Sequence, residues 1–168
     1  AVAATGVTPA DLSWKAGVDV LSFGGTKNGL FSGDAIVFFD RTLAEGFEFR
    51  RKQAGHLLAK LRFISAPWSA LLDSGAWLRN ARHANAMATR LENALRRIAG
   101  VRILYPVQAN AVFVIFSPQI RSALISAGWH FHAIAGGDRL MCAWDTTTDD
   151  VDAFAQDASG GIATAEGQ

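Results

Sequence analysis

The chain has 168 residues, half of them hydrophobic and 18% charged, with a formal net charge of +1. That length suits one domain or two small lobes with a real core, and the composition excludes a disordered chain. The near-neutral balance gives no basis for nucleic-acid binding, and no apolar run approaches the ~18 residues of a membrane span. A single cysteine, Cys142, excludes an internal disulfide and suits a reducing, cytoplasmic compartment.

Residues 1–17 read as the end of a helix, a turn centred on Pro9 and a short helical piece around Ala10–Lys15. Val18–Phe23 and Ala35–Phe39 have the apolar, β-branched character of strands, with a glycine-rich loop around Lys27 between them. After Asp40 the pattern turns helical, and Arg50, Arg51, Lys52 and Lys60 make it strongly basic. The Ala66-Pro67-Trp68 step is expected to divide that helix from the next.

Residues 75–98 carry the clearest periodicity. Trp77, Ala81, Ala84, Ala88, Leu91, Leu95 and Ile98 recur at spacings of four and three, which predicts one apolar face of a long helix. Ser74 is placed to cap its start and Gly100 to end it, and Glu92 and Arg96 form an i,i+4 pair. Strands follow at Val101–Leu104 and Ala111–Phe116. Ser117-Pro118 opens a helix in the favoured cap-then-proline order, closing at Gly128. Trp129–Ile134 and Leu140–Trp144 predict a hairpin across Gly136-Gly137. The Thr146–Asp152 run caps a last helix through Ala155, and Ser159–Gln168 is expected to be a flexible tail. The order of elements predicts an α+β lobe with a mainly antiparallel sheet. The division between a first domain and this lobe is expected at residues 75/76, with the lobe covering 76–158.

The segment Ser22-Phe23-Gly24-Gly25-Thr26-Lys27-Asn28-Gly29 carries the most chemistry. One lysine sits among small residues directly after a strand, where glycine lets a flat ligand approach the backbone. A lysine held there can lose solvent, which frees its amine to attack a carbonyl. The spacing does not fit a phosphate-binding P-loop. On composition alone, a solvated lysine at a hairpin tip is the commoner outcome.

Other candidates each have two readings. Arg139, after the Gly136-Gly137 turn, can offer a planar fork to a carboxylate, or pair with Asp138 and solvent at the hairpin shoulder. Lys52 and its arginine neighbours are a second positive cluster or simply a solvated helix face. His130 and His132, two residues apart on one strand, have metal-ligand spacing but no third ligand nearby, so an edge histidine pair is the simpler reading. Cys142 fits a small buried hydrophobe.

Four stretches, in the same order, carry a family resemblance: Val18–Gly29, Arg51-Lys52-Gln53-Ala54-Gly55, Arg62–Trp68 and Arg139–Thr147. The first is similar to the cofactor-lysine segment of the low-specificity L-threonine aldolases, in the fold-type I pyridoxal-phosphate class. The resemblance covers residues 1 to about 155. It implies an α/β arrangement in which 1–75 is the end of the large pyridoxal-phosphate domain. It also implies that Lys27 holds the cofactor as a Schiff base, with Lys52 near its phosphate. Thr26 and Ser22, which flank Lys27, can bond that phosphate, orient the lysine or serve only in turn hydrogen bonding. The family's glycine-rich pattern after the basic stretch is replaced here by Gly55-His56-Leu57-Leu58, which weakens the case for Lys52.

By the same likeness Arg139 binds the carboxylate of a β-hydroxy-α-amino acid, and threonine is cleaved to glycine and acetaldehyde in a homodimer or homotetramer. The phosphate loop, a ring-stacking residue and a ring-pairing aspartate are then expected in a segment ahead of Ala1. Without that segment, the long helix is expected to expose its apolar face. Two alternatives stay open: β-elimination or transamination on the same scaffold, and a non-enzymatic chain that keeps the fold only for assembly.

Overall fold

A computed structural model describes residues 1–134 and 136–163. It divides into two compact units, Ala1–Asn80 and a second from Ala81 onward.

In the first unit a short helix α1 (Val2–Thr5) stops at Gly6, whose φ of 72° only glycine adopts cheaply. Strands β1 (Val20–Gly24) and β2 (Asp34–Phe38) form an antiparallel ribbon, with Val20 opposite Phe38 and Gly24 opposite Asp34. Asp40 caps a 3-10 turn at Arg41–Ala44 by accepting from the Thr42 amide, and α2 (Phe47–Gln53) follows. Phe47 stacks edge-on against Phe38 of β2 at 5.0 Å, which seats α2 on the ribbon.

The expected break at Pro67 does not occur. Pro67 lies inside α3 (Arg62–Asp73), where it forgoes one backbone hydrogen bond without ending the helix. The chain breaks instead at Gly55 and Gly75, both at positive φ. Few side chains of this unit are buried, chiefly Trp68 and Leu71, while Phe31, Phe49 and Phe63 are largely exposed.

Helix α4 (Ala76–Leu95) begins in the first unit and continues into the second. Its predicted face is not left bare: Ala84, Ala88, Leu91 and Leu95, with Ile98 beyond its end, are buried. Four strands follow: β3 (Val101–Ile103), β4 (Ala111–Phe116), β5 (His132–Ile134) and β6 (Gly137–Met141). They form one antiparallel sheet in the order β3-β4-β6-β5. β4 alternates strictly, sending Val112, Val114 and Phe116 into the core. Helix α5 (Pro118–Ser126) starts as predicted, the Ser117 hydroxyl accepting from the Ile120 amide, and buries Ile120 and Leu124. The core joins α4, β4, β6, α5 and α6 (Thr148–Ala163).

α6 runs eight residues beyond its expected end at Ala155. Ser159–Ala163, expected in the tail, are helical, and residues 164–168 of that tail lie outside the described residues. Packing overrides the poor helix propensity of glycine here. Ala158 is fully buried, and a Cβ on Gly161 would come within 3.0 Å of the Ile120 backbone, so the bare glycine lets α6 close onto α5. Among the described residues no helix is long and apolar enough to cross a membrane.

Candidate active site

Lys27 sits in a 3-10 turn (Thr26–Asn28) immediately after β1. Backbone hydrogen bonds close this turn on itself. Gly25 donates to the Gly33 carbonyl at 3.2 Å, extending the ribbon, while the amides of Asn28 and Leu30 both donate back to the Gly25 carbonyl at 2.9 and 3.1 Å. Beneath it lies an aromatic floor: Phe23 packs against Trp68 at 5.3 Å and against Trp77 at 5.9 Å. The fit leaves no room for side chains. A Cβ on Gly25 would lie 2.6 Å from Leu30 Cδ1 and 2.7 Å from Trp68 Cζ2, and one on Gly33 2.6 Å from Ile64 Cγ2.

Above that floor the polar groups are open. Ser22 alternates away from half-buried Phe23 on β1 and is exposed, as are Thr26 and Lys27. Neither hydroxyl is engaged in turn hydrogen bonding, and the Lys27 amine has no partner among the described residues. The expected loss of solvent around Lys27 is not supplied by the described residues of this chain. Three uncommitted polar groups on one glycine-built segment fit a phosphorylated aldehyde, with an amine to condense and hydroxyls to donate to phosphate.

Lys52 is exposed in the last turn of α2, and no hydrogen bond or ion pair links it to the Lys27 turn. Its neighbour Arg51 has a buried Nε with no partner.

Arg139 belongs to the second unit. It is the third residue of β6 and not its first, because Gly137 joins the ladder opposite Ile134. Gly137 can do so since a Cβ there would meet the Val114 carbonyl at 2.6 Å. Arg139 is half-buried between Phe113 of β4 and His132 of β5, on the face opposite to buried Asp138 and Leu140. It does not pair with Asp138, whose carboxylate is taken by Arg121. Its Nε is buried and unpartnered.

His130 falls outside β5 and does not share a strand face with His132. Among the described residues, no three His, Cys, Asp or Glu side chains gather as a metal site. Cys142 is buried just past β6, and burial pushes its thiol up to about 11. Its amide donates to the Asn110 carbonyl and its carbonyl accepts from the Asn110 side chain, at 2.9 and 2.8 Å. Sequence reasoning missed Asn28 and Asn80, which tie the Lys27 turn to α4. An asparagine inside a glycine-rich turn was the one available signal.

The chain belongs to the beta-eliminating lyase family, whose model matches residues 1–118. It is similar to the low specificity L-threonine aldolase of Pseudomonas sp. (strain NCIMB 10558), 54% identical over 148 residues, covering 87% of this chain and 43% of that protein. It is also 50% identical over 159 residues to the low specificity L-threonine aldolase of Pseudomonas aeruginosa, covering 94% of this chain and 46% of the relative. The chain thus spans about half the length of the curated relatives it matches. A structure of Leishmania major threonine aldolase superposes with a TM-score of 0.78 at 22% identity, over 92% of this chain and 46% of that one. The expected fold class, mixed helices with antiparallel sheets on this scaffold, agrees with that likeness.

Proposed function

We propose that this chain is part of a pyridoxal-phosphate-dependent aldolase that cleaves β-hydroxy-α-amino acids, threonine giving glycine and acetaldehyde. The observation that carries the reading is the Lys27 turn, an exposed, unpartnered amine on a tightly built glycine segment with the free hydroxyls of Ser22 and Thr26 beside it. Membership of the beta-eliminating lyase family and the names of the two bacterial relatives support it.

In this reading Lys27 would hold the cofactor through its amine, and the hydroxyls of Ser22 and Thr26 and the charge of Lys52 would serve its phosphate. The Arg139 fork holds the substrate carboxylate and so orients the bond to be broken. The cofactor, when bound, supplies the electron sink for cleavage between Cα and Cβ. Residues 1–75 then close a cofactor-binding domain and 76–158 form the smaller α+β domain of a cytoplasmic homodimer or homotetramer.

The test uses the longest natural form of the protein that contains this chain. Addition of pyridoxal phosphate should produce an imine absorption band that is absent in Lys27→Ala. Threonine should then yield acetaldehyde and glycine. A keto acid and ammonia would instead indicate elimination or transamination, and an unchanged band in Lys27→Ala would overturn the assignment of Lys27.

A further inference from the structure

We infer that Asn28 is a positioning residue for Lys27, clamping the turn that carries the amine to the start of helix α4; this rests on the reading of Lys27 given above. Two hydrogen bonds of opposite sense form the clamp. The Asn28 side-chain amide donates to the Trp77 carbonyl at 3.0 Å, and the Asn80 side-chain amide donates to the Asn28 carbonyl at 2.8 Å. These are long-range contacts, spanning 49 and 52 residues of chain. Together with the Asn28 amide bond to Gly25, they engage the backbone donor, the backbone acceptor and the side chain of the residue next to Lys27. The Lys27 side chain makes no hydrogen bond or ion pair among the described residues, so its placement falls to its neighbour.

The Asn28 carboxamide is oriented and not merely accommodated. Only its NH2 end can face the Trp77 carbonyl, since the opposite orientation would set oxygen against oxygen. That choice leaves Oδ1 buried with no partner. An apolar side chain would avoid the unsatisfied acceptor but could not donate to Trp77. Phe23 packs on the Trp77 ring, so the same tryptophan anchors the strand before the turn through its ring and the turn itself through its carbonyl.

The experiment compares lysines within one chain. The protein in its longest natural form is incubated with pyridoxal phosphate and reduced with borohydride, and the modified lysines are counted by peptide mapping. The amine condenses with the aldehyde, releasing water, and borohydride delivers hydride to the imine to leave a stable secondary amine. Lys15 and Lys60, which have no part in the proposed site, serve as internal references. Asn28→Asp keeps the shape but turns an oxygen toward the Trp77 carbonyl; Asn80→Ala removes the other bond without altering the turn's sequence.

Each substitution is expected to lower Lys27 labelling about tenfold relative to the two reference lysines, the effect of losing one positioning hydrogen bond. Circular dichroism checks that the fold persists. If Asn28→Asp does not fold, Asn80→Ala decides. A lowered melting temperature with unchanged Lys27 selectivity in a folded variant would make the clamp merely structural and overturn the proposal. Absence of Lys27 selectivity in the unaltered protein would instead remove the cofactor site itself, and the positioning role with it.

Discussion

Arg121 grips Asp138 with two nitrogens, Nε at 3.0 Å from Oδ2 and Nη2 at 3.2 Å from Oδ1, and the carboxylate is buried. The Arg121 guanidinium also lies 5.6 Å from the Phe131 ring centroid, which holds the fork in place. Removing the arginine strands a buried charge. Arg121→Ala is expected to cost about 3 kcal/mol, read from the urea unfolding midpoint. A loss within experimental error would mean that Asp138 is solvated in solution.

The core of the second unit makes a second prediction. Leu95 is fully buried in the cluster that includes Val112, Ile120 and Leu124. Leu95→Ala should cost about 3 kcal/mol in urea unfolding, through lost burial and the cavity left behind.

The floor of the candidate site tolerates no added methyl. Gly25→Ala sets a Cβ against Leu30 and Trp68 and should destabilise the protein by about 2 kcal/mol. The change in tryptophan emission should accompany the drop in melting temperature, since Trp68 must move to admit the methyl.

Acid should weaken the chain in part through the start of α6. The Thr147 amide and hydroxyl hold the Asp150 carboxyl below its ordinary 3.8, and the hydrogen bond from Arg90 does the same for Asp152. A carboxyl depressed in the folded state stabilises it above the unfolded value and loses that contribution as pH falls through the folded one. Stability should therefore decline below about pH 4, and Asp150→Asn should make that decline shallower in urea midpoints measured against pH.

At the alkaline end Cys142 has the opposite sign. Burial raises its thiol from 9.0 to about 11, so its neutral form stabilises the fold fully below 9.0 and that contribution is lost as pH rises toward 11. A charged thiol reagent at neutral pH should label the folded protein far more slowly than the urea-unfolded chain. Equal rates would mean that the segment after β6 opens freely.

Elements specified by short-range chemistry were legible in the sequence. The Ser117-Pro118 start of α5, the Glu92–Arg96 pair at 2.6 Å and the apolar face of α4 all depend on neighbours a few residues away. Pro67 misled because a proline's local preference was outweighed by the burial of Trp68 and Leu71 on α3. The extent of α6 was hidden because Gly161 appears as a helix breaker until α5 is known to press against it. At the candidate site the position of Lys27 in a turn was readable, but the tie between Asn28 and α4 was not. Its partners lie some fifty residues away, and no periodicity marks them. Arg139 was expected at a strand's edge; Gly137 extends the strand and moves it inside.

The alternation along β6 also guards folding fidelity. Asp138 and Arg139 are adjacent and point to opposite sides of the sheet, between half-buried Gly137 and buried Leu140. A one-residue slip against β4 would exchange the two sides. It would drive a guanidinium into the apolar core, turn Leu140 out to water and separate Asp138 from Arg121. Misregistered pairings are thus penalised by charge as well as by hydrophobicity, so β6 has one viable alignment against β4 even with glycine at its start.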